Sequence, residues 1–381
     1  MRANDHPASE LVRLTAPCAA RRSSGTALVR PVVSRTPRSQ PCARAPRAEQ
    51  HVLCARMVRV LSGVQPTGEM HLGNYLGAFR SWSAEQYESD AFFCIVDLHA
   101  ITVDFDPKQL ASRTLHTATS LLAAGLDPSR CTIFVQSQVH EHSELAWILE
   151  CTATMGEMRR MTQLKEKGAG QESVSLGLFA YPVLMAADIL AYDADRVPVG
   201  DDQRQHLELA RDLAHRFNAR YGETFVVPDA SVPRVASRVM DLQDPTSKMS
   251  KSAQSHLGTI MMLDDPTVIE RKIRRAVTDS GTEVLYDPEN KPGISNLLEL
   301  LAAASGGAPD QLASGYPNYG SLKSAATEAV AEMLRPARER FAAFSRDPGE
   351  VRRVLSDGAQ RAGEVAASTL RRTHAAIGIL T

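Results

Sequence analysis

Long apolar runs are missing from this 381-residue chain: no stretch approaches the roughly 18 consecutive apolar residues of a membrane span, so no membrane partner is expected. Cysteine is sparse, six residues with no CxxC pair, which excludes a disulfide scaffold and argues against structural zinc or an iron–sulfur cluster. Cys94, Cys131 and Cys151 stand alone in apolar surroundings and read as buried free thiols. The 23 glycines and 21 prolines follow no period, which excludes collagen. No acidic cluster is placed to hold a metal, and no Ser/His/Asp set is recognisable as a nucleophile constellation. What is present is ordinary globular material, 43% hydrophobic and 23% charged, and at about 150 residues per domain the length argues for two or three folded units.

Lysine is absent from residues 1–56, where ten Arg face three acids (Asp5, Glu10, Glu49). That local balance of +7 leaves −8 on the remainder. With six Pro and scattered Ser, the segment reads as an organellar transit peptide, for mitochondrion or chloroplast, cleaved near Cys54 to Met57. The alternative is a permanent basic arm that binds nucleic acid.

From Met57 to about residue 245, short apolar runs alternate with longer amphipathic stretches, the order of an α/β, Rossmann-like doubly wound parallel sheet. Residues 58–63, 91–102 and 131–137 read as strands, with RVPVG as a further one. Helices are expected over 74–82, 111–126, within 181–200 before RVPVG, and over 201–222. From 246 to 381 the strand signal fades, and apolar residues recur at i, i+3, i+4 over 267–278, 294–305, 322–344 and 350–379. This part reads as an all-helical domain.

Two motifs carry the chemistry. Pro66-Thr67-Gly68-Glu69-Met70-His71-Leu72-Gly73-Asn74 lies between the first strand and the first helix, where free backbone N–H groups and the positive end of the helix dipole suit phosphate. Gly68 and Gly73 allow close backbone approach, and His71 and Asn74, three apart, can both donate to phosphoryl oxygens. An incidental Gly-rich turn with a capping Asn is the competing reading. About 180 residues later, Lys248-Met249-Ser250-Lys251-Ser252 places two lysines three apart in a polar loop able to close over a pyrophosphate. As a bare charge run it would read as a solvated surface.

Taken together, HLGN and KMSKS resemble the HIGH and KMSKS signatures of class I aminoacyl-tRNA synthetases. The stretches QPTGEMHLGNYLGAF, FCIVDLHAIT, GEMRRMTQLKEK, YPVLMAADIL, VPVGDDQRQHLELARDLAHRFN and VTDSG…KPGISNLL extend the resemblance to the tryptophanyl-tRNA synthetase family of bacterial and organellar type, from about Val58 to the last helix. Family members often carry threonine at the place of His71, and this histidine restores the wider class pattern.

The resemblance implies ligation of tryptophan to tRNA(Trp) through tryptophanyl-adenylate, with ATP as substrate and Mg2+ carried on the nucleotide. It implies His71, Asn74, Lys248 and Lys251 as catalytic residues. For ATP it implies Gln65, Thr67, Gly73, Asn74, Gln163, Lys167, Val199, Asp202, Lys248, Met249, Ser250, Lys251 and Ser252, with Asp202 on the ribose and Gln163 and Lys167 near the phosphates. For tryptophan it implies Leu61, Gly63, His99, Tyr181, Met185, Asp188, Val197, Val199 and Gln203. Asp188 would accept the indole N–H, Met185 would pack on the ring, and Tyr181 and Gln203 would hold the amino group. A buried acceptor that cannot donate rejects side chains lacking an N–H there. From the residues alone, Asp188 reads as a helix-surface charge and Met185 as core, and His99 reads equally as a core histidine.

The resemblance also implies a homodimer, with the helical half reading the anticodon. A remainder at −8 must then use local patches for RNA, the candidates being Arg271, Lys272, Arg274 and Arg275 on one helix and Arg335, Arg338 and Arg340 on another. A tyrosyl-tRNA synthetase and a catalytically silent nucleotide- or RNA-binding relative are the alternatives.

Overall fold

A computed structural model describes residues 56–162, 174–200, 203–231, 239–250 and 255–380. Strands β1 (Arg59–Val64), β2 (Asp90–Ile95), β3 (Thr132–Val135), β4 (Arg196–Pro198) and β5 (Asp229–Ser231) form one sheet in the order β3-β2-β1-β4-β5, with every pairing parallel. Gly63 lies opposite Cys94, and Val60 opposite both Ala91 and Arg196. The chain order reverses between β1 and β4. In an open parallel sheet the crevice beyond the carboxyl ends of two such strands is where ligands bind.

Both faces of this sheet are covered, which is why its strands carry continuous apolar runs. Side chains alternate between the faces. Ala91, Phe93 and Ile95 join one core, and Phe92 and Cys94 the other. The first core gathers Leu72, Leu76 and Phe79 from the segment after β1, Met249 and Ile260 from the lysine-loop region, and Leu297, Leu322 and Leu334 from the later helices. Sheet and late helices therefore share one apolar interior. The second core holds Leu61, Val197, Phe134, Ala187 and Tyr192.

After β1 the chain forms α1 (Leu72–Asn74), a π-helical turn (Tyr75–Phe79) and α2 (Arg80–Glu85). The run expected as one strand over 91–102 divides: β2 stops at Ile95 and α3 (Asp97–Ala100) begins. Asp97 explains the break. Its carboxylate accepts the Ser137 N–H at 2.9 Å, and an acid in a first helical turn is favoured by the dipole. The break places His99 beside the carboxyl edge of the sheet. Then come α4 (Pro107–Ala123), opened by Asp106 accepting the Lys108 N–H, α5 (Glu141–Glu150), α6 (Met155–Arg160), α7 (Leu176–Leu190) before β4, and α8 (Arg204–Tyr221) after it.

The remaining helices are α9 (Pro266–Arg274), α10 (Pro292–Ser305), α11 (Pro309–Ala313), α12 (Tyr319–Arg346) and α13 (Pro348–Ile377). Helix α13 packs along edge strand β3. A Cβ on Gly358 would fall 1.8 Å from the Ile133 carbonyl oxygen, so only glycine allows that approach. Covering the edge in this way removes a template for unwanted strand pairing. Among the described residues, no helix is long and apolar enough to cross a membrane. Cys94 and Cys131 are buried as expected, whereas Cys151, one residue past α5, is exposed.

Candidate active site

The turn after β1 is built for backbone exposure. Gly68 sits at φ 89°, a conformation that costs a side-chain-bearing residue dearly. A Cβ on Gly73 would come 2.9 Å from the His71 ring, so a substitution there displaces the imidazole. Gln65, Gly63 and Thr67 are exposed at the end of β1, and His71 is buried. Asn74 caps its own helix, its Oδ1 accepting the His71 N–H at 3.2 Å. With the oxygen engaged, the amide NH2 is what Asn74 can offer an anion.

The lysine loop is fastened to this turn through backbone. The Leu72 N–H donates to the Ile260 carbonyl and the Met262 N–H to the Met70 carbonyl, each at 2.8 Å, around a bridge between His71 and Met261. Upstream, Met249 N–H donates to the Val239 carbonyl at 3.0 Å and Asp241 N–H to the Ser247 carbonyl at 2.9 Å. The two stems meet where Leu242 N–H reaches the Gly258 carbonyl and Thr259 Oγ1 donates to the Ser250 carbonyl, both at 2.9 Å.

Asp244 folds the intervening turn by accepting from Ser247 and Thr246 hydroxyls at 2.6 Å, and those bonds hold its carboxyl below the usual range. Met249 is buried in the core, so any nucleotide contact at that position comes from its backbone. Lys248 beside it is exposed and Ser250 half-buried. Gln163, Lys167, Asp202, Lys251 and Ser252 lie outside the described residues.

On the other face of the sheet, Leu61, Val197, Val199 and Met185 belong to one apolar cluster, with Met185 and Val199 only partly covered. Asp188, on α7, is buried rather than a surface charge, with 5% of its surface exposed. Its surroundings are more polar than an apolar pocket. Oδ2 pairs with His99 Nε2 at 2.8 Å, while Oδ1 pairs with His142 Nδ1 at 2.6 Å and accepts from Gln136 Nε2 at 2.7 Å.

Burial alone would raise this carboxyl, but the hydrogen bonds from His142 and His99 outweigh it and hold the group well below the ordinary carboxylate range. Asp188 is thus an ionised acceptor. His99 also meets Tyr181 edge-on at 6.1 Å, and the Tyr181 hydroxyl pairs with His206 Nε2 at 2.8 Å. Gln203 is half-buried at the start of α8. Sequence reading missed Gln136, His142, Tyr192 and His206.

The arrangement joins the turn of Gly68 and Gly73, the stem of the lysine loop and an ionised acceptor on one parallel sheet. Residues 55–335 match the family of class I tRNA synthetases for tryptophan and tyrosine (W and Y). Over 329 residues the chain is 58% identical to tryptophan–tRNA ligase 1 of Streptomyces coelicolor, covering 85% of this chain and 98% of that one. The chain is a class I tRNA synthetase of the tryptophanyl family.

This synthetase is also 54% identical to the tryptophan–tRNA ligase of Mycobacterium leprae, over 84% of its own length and 96% of the relative's. A solved structure of tryptophanyl-tRNA synthetase from Campylobacter jejuni, complexed with ADP and tryptophan, matches with TM-score 0.74 at 36% identity, over 84% of this chain and 100% of that one.

These relatives are bacterial, and the expectation of import into mitochondrion or chloroplast is corrected accordingly: the similarity points to a bacterial enzyme. Arg-rich, acid-poor composition reports only a segment with too little to bury, and so does not distinguish an import signal from a basic extension.

The proposed RNA patches of the synthetase are smaller than the sequence suggested. Lys272 is buried and paired with Asp264 at 2.6 Å, Arg340 donates to the Ala123 carbonyl at 2.7 Å, and Arg335 is held by Glu332 and Glu339. Arg271, Arg274 and Arg275 remain outward on α9 and its last turn.

Proposed function

We propose that this chain activates tryptophan with ATP and transfers it to tRNA(Trp). The observation that supports tryptophan is the buried, ionised Asp188 beside the partly covered Met185 and Val199, with one acceptor position left by its partners among the described residues for an indole N–H. A tyrosine phenol reaching Asp188 would present a hydroxyl in a different place. The neighbouring relatives at more than half identity being tryptophan–tRNA ligases favours the same substrate.

In this reading a tryptophan carboxylate oxygen attacks the α-phosphorus of ATP in line, forming the mixed anhydride as the bond to pyrophosphate breaks. Mg2+ enters with the nucleotide as part of the substrate. His71, the Asn74 amide NH2 and the backbone of the turn would face the phosphates, and Lys248 and Lys251 neutralise the departing pyrophosphate. The terminal adenosine hydroxyl of tRNA then attacks the acyl carbon and AMP leaves. No step uses a covalent enzyme intermediate, so the protein contributes positioning and electrostatics.

Gln65, Thr67 and Asp202 would hold the nucleoside side of ATP, Gln163 and Lys167 its phosphates, and Tyr181 and Gln203 the amino group of tryptophan. Residues 57–245 would form the catalytic part and 246–381 the lysine loop with the anticodon-reading helices. The same reading carries a homodimer, which sedimentation equilibrium tests. Charging of a tRNA(Trp) transcript with labelled tryptophan tests the function itself. Tryptophan is expected to be esterified and tyrosine not; charging with tyrosine, or with neither, would overturn the reading.

A further inference from the structure

Asp188 is held from behind by residues the resemblance does not assign. Gln136 follows directly on β3, His142 lies in α5 and Tyr192 follows α7, and all three are fully buried. A carboxylate offers about four acceptor positions. Among the described residues, two on Oδ1 are taken, by His142 Nδ1 at 2.6 Å and Gln136 Nε2 at 2.7 Å, and one on Oδ2, by His99 Nε2 at 2.8 Å.

The Tyr192 hydroxyl lies 2.7 Å from His142 Nε2. Burial pushes the Tyr192 phenol well up, so it stays protonated and donates. That bond assigns the tautomer: Nε2 accepts from the phenol and Nδ1 carries the hydrogen toward Asp188. Phe92 and Phe134 pack on Tyr192 at 5.1 and 5.5 Å between ring centres, and Phe134 lies 6.0 Å from the His142 ring, so the chain of bonds sits in an aromatic box. In such surroundings each bond is stronger than in water, and a missing one is costly.

We propose that Tyr192, His142 and Gln136 are positioning residues for amino-acid selection: together they saturate Asp188 Oδ1, fix the carboxylate's plane, and leave a position on Oδ2, next to His99, as the acceptor offered to the substrate's N–H. The proposal rests on the reading that Asp188 meets the indole. A prefixed acceptor needs no reorganisation when tryptophan arrives, and an amino acid without an N–H at that point leaves Oδ2 short of a partner.

Removing the phenol frees the ring to move its hydrogen to Nε2. The Nδ1 lone pair then faces Oδ1, and the carboxylate turns or takes up a proton. The titratable groups around the carboxylate are His99 from α3, His142 from α5, Cys94 from β2 and Tyr192, with Glu141 acting on Tyr192 and Asp97 on Cys94.

The test is ATP–pyrophosphate exchange by the full-length protein, read from pH 5 to 9 as separate KM values for tryptophan and ATP and as kcat. The variants are Tyr192→Phe, His142→Leu, His142→Asn and Asp188→Asn. Tyr192→Phe and His142→Leu are expected to raise the tryptophan KM about tenfold or more, since each removes, directly or through the imidazole tautomer, the His142 hydrogen bond to the charged Asp188, with ATP KM and kcat within about twofold. Their acid limb in kcat/KM for tryptophan should move to higher pH. His142→Asn, whose amide can replace the Nδ1–H, should recover most of the loss.

An unchanged tryptophan KM in Tyr192→Phe, or equal losses in tryptophan KM, ATP KM and kcat, would overturn the proposal. Should His142→Leu fail to fold, Tyr192→Phe, which removes one oxygen atom, decides alone. An effect of Asp188→Asn without one of Tyr192→Phe defeats this inference only. No effect of Asp188→Asn on tryptophan KM defeats the underlying reading.

Discussion

The backbone N–H of Leu72 donates to the Ile260 carbonyl at 2.8 Å, joining the turn after β1 to the far stem of the lysine loop. Because the tie is backbone to backbone, the loop's stem geometry governs it. Gly258 is the tightest point of that stem: an added Cβ would lie 2.1 Å from Asp241 Oδ1. Gly258→Ala is expected to lower stability by about 1–3 kcal/mol, as overpacking does, and to raise the KM for ATP while leaving the KM for tryptophan near wild type. Thermal denaturation together with exchange kinetics checks both parts.

Asn74 caps with its oxygen, which leaves its NH2 for the phosphate contact of the proposed reaction. Asn74→Asp keeps the acceptor and should hold the melting temperature, whereas Asn74→Ala should lose about 1 kcal/mol with the cap. Both should cut kcat for exchange, the aspartate variant by about 100-fold or more because its charge also repels phosphate. Full activity in the aspartate variant would assign Asn74 to capping alone.

Lys272 and Asp264 form a mostly buried ion pair at 2.6 Å. Lys272→Met leaves the carboxylate unmatched and should destabilise by about 3–5 kcal/mol, while Arg274→Ala on the exposed side should stay within about 0.5 kcal/mol. Urea unfolding measures the difference. In tRNA binding the order should reverse, with Arg274→Ala reducing the salt dependence and the lysine variant, where still folded, leaving it unchanged.

Glu157 carries the clearest acid signature. The Arg216 side-chain hydrogen bond, chiefly, lowers its carboxyl to about 2 against opposing burial. A depressed folded value means the stabilisation is complete above the unfolded value of roughly 4.3 and is lost as pH falls toward 2. Wild type should lose stability between about pH 5 and 2 more steeply than Glu157→Gln, by urea unfolding at each pH. Parallel curves would show that the Arg216 pair contributes nothing.

How far the sequence could be read followed from how local each signal is. The turn from Pro66 to Asn74 and the long late helices were visible because glycines, caps and apolar spacing are properties of neighbouring residues. The break between β2 and α3 was hidden inside a continuous apolar run, since the bond that stops the strand joins Asp97 to Ser137, forty residues away. At three residues, β5 was too short to show a period.

Asp188 entered as an acceptor through the resemblance alone, since from the residues it reads as a helix-surface charge, and its supports were not legible: Gln136 and His142 lie 52 and 46 positions from it and meet it only because β3 and α5 pack beside α7. Their one local trace is a polar residue closing the apolar strand TIFV and a histidine in a helix whose neighbours are buried. The Arg-rich composition of residues 1–56 named no destination.

Selection of tryptophan by Asp188 through the indole N–H can be measured by ATP–pyrophosphate exchange driven in parallel by tryptophan, 1-methyltryptophan and tyrosine. Strong exchange is expected with tryptophan and at least about 100-fold less, in kcat/KM, with the N-methylated analogue and with tyrosine. Equal exchange with 1-methyltryptophan, or preference for tyrosine, would contradict it.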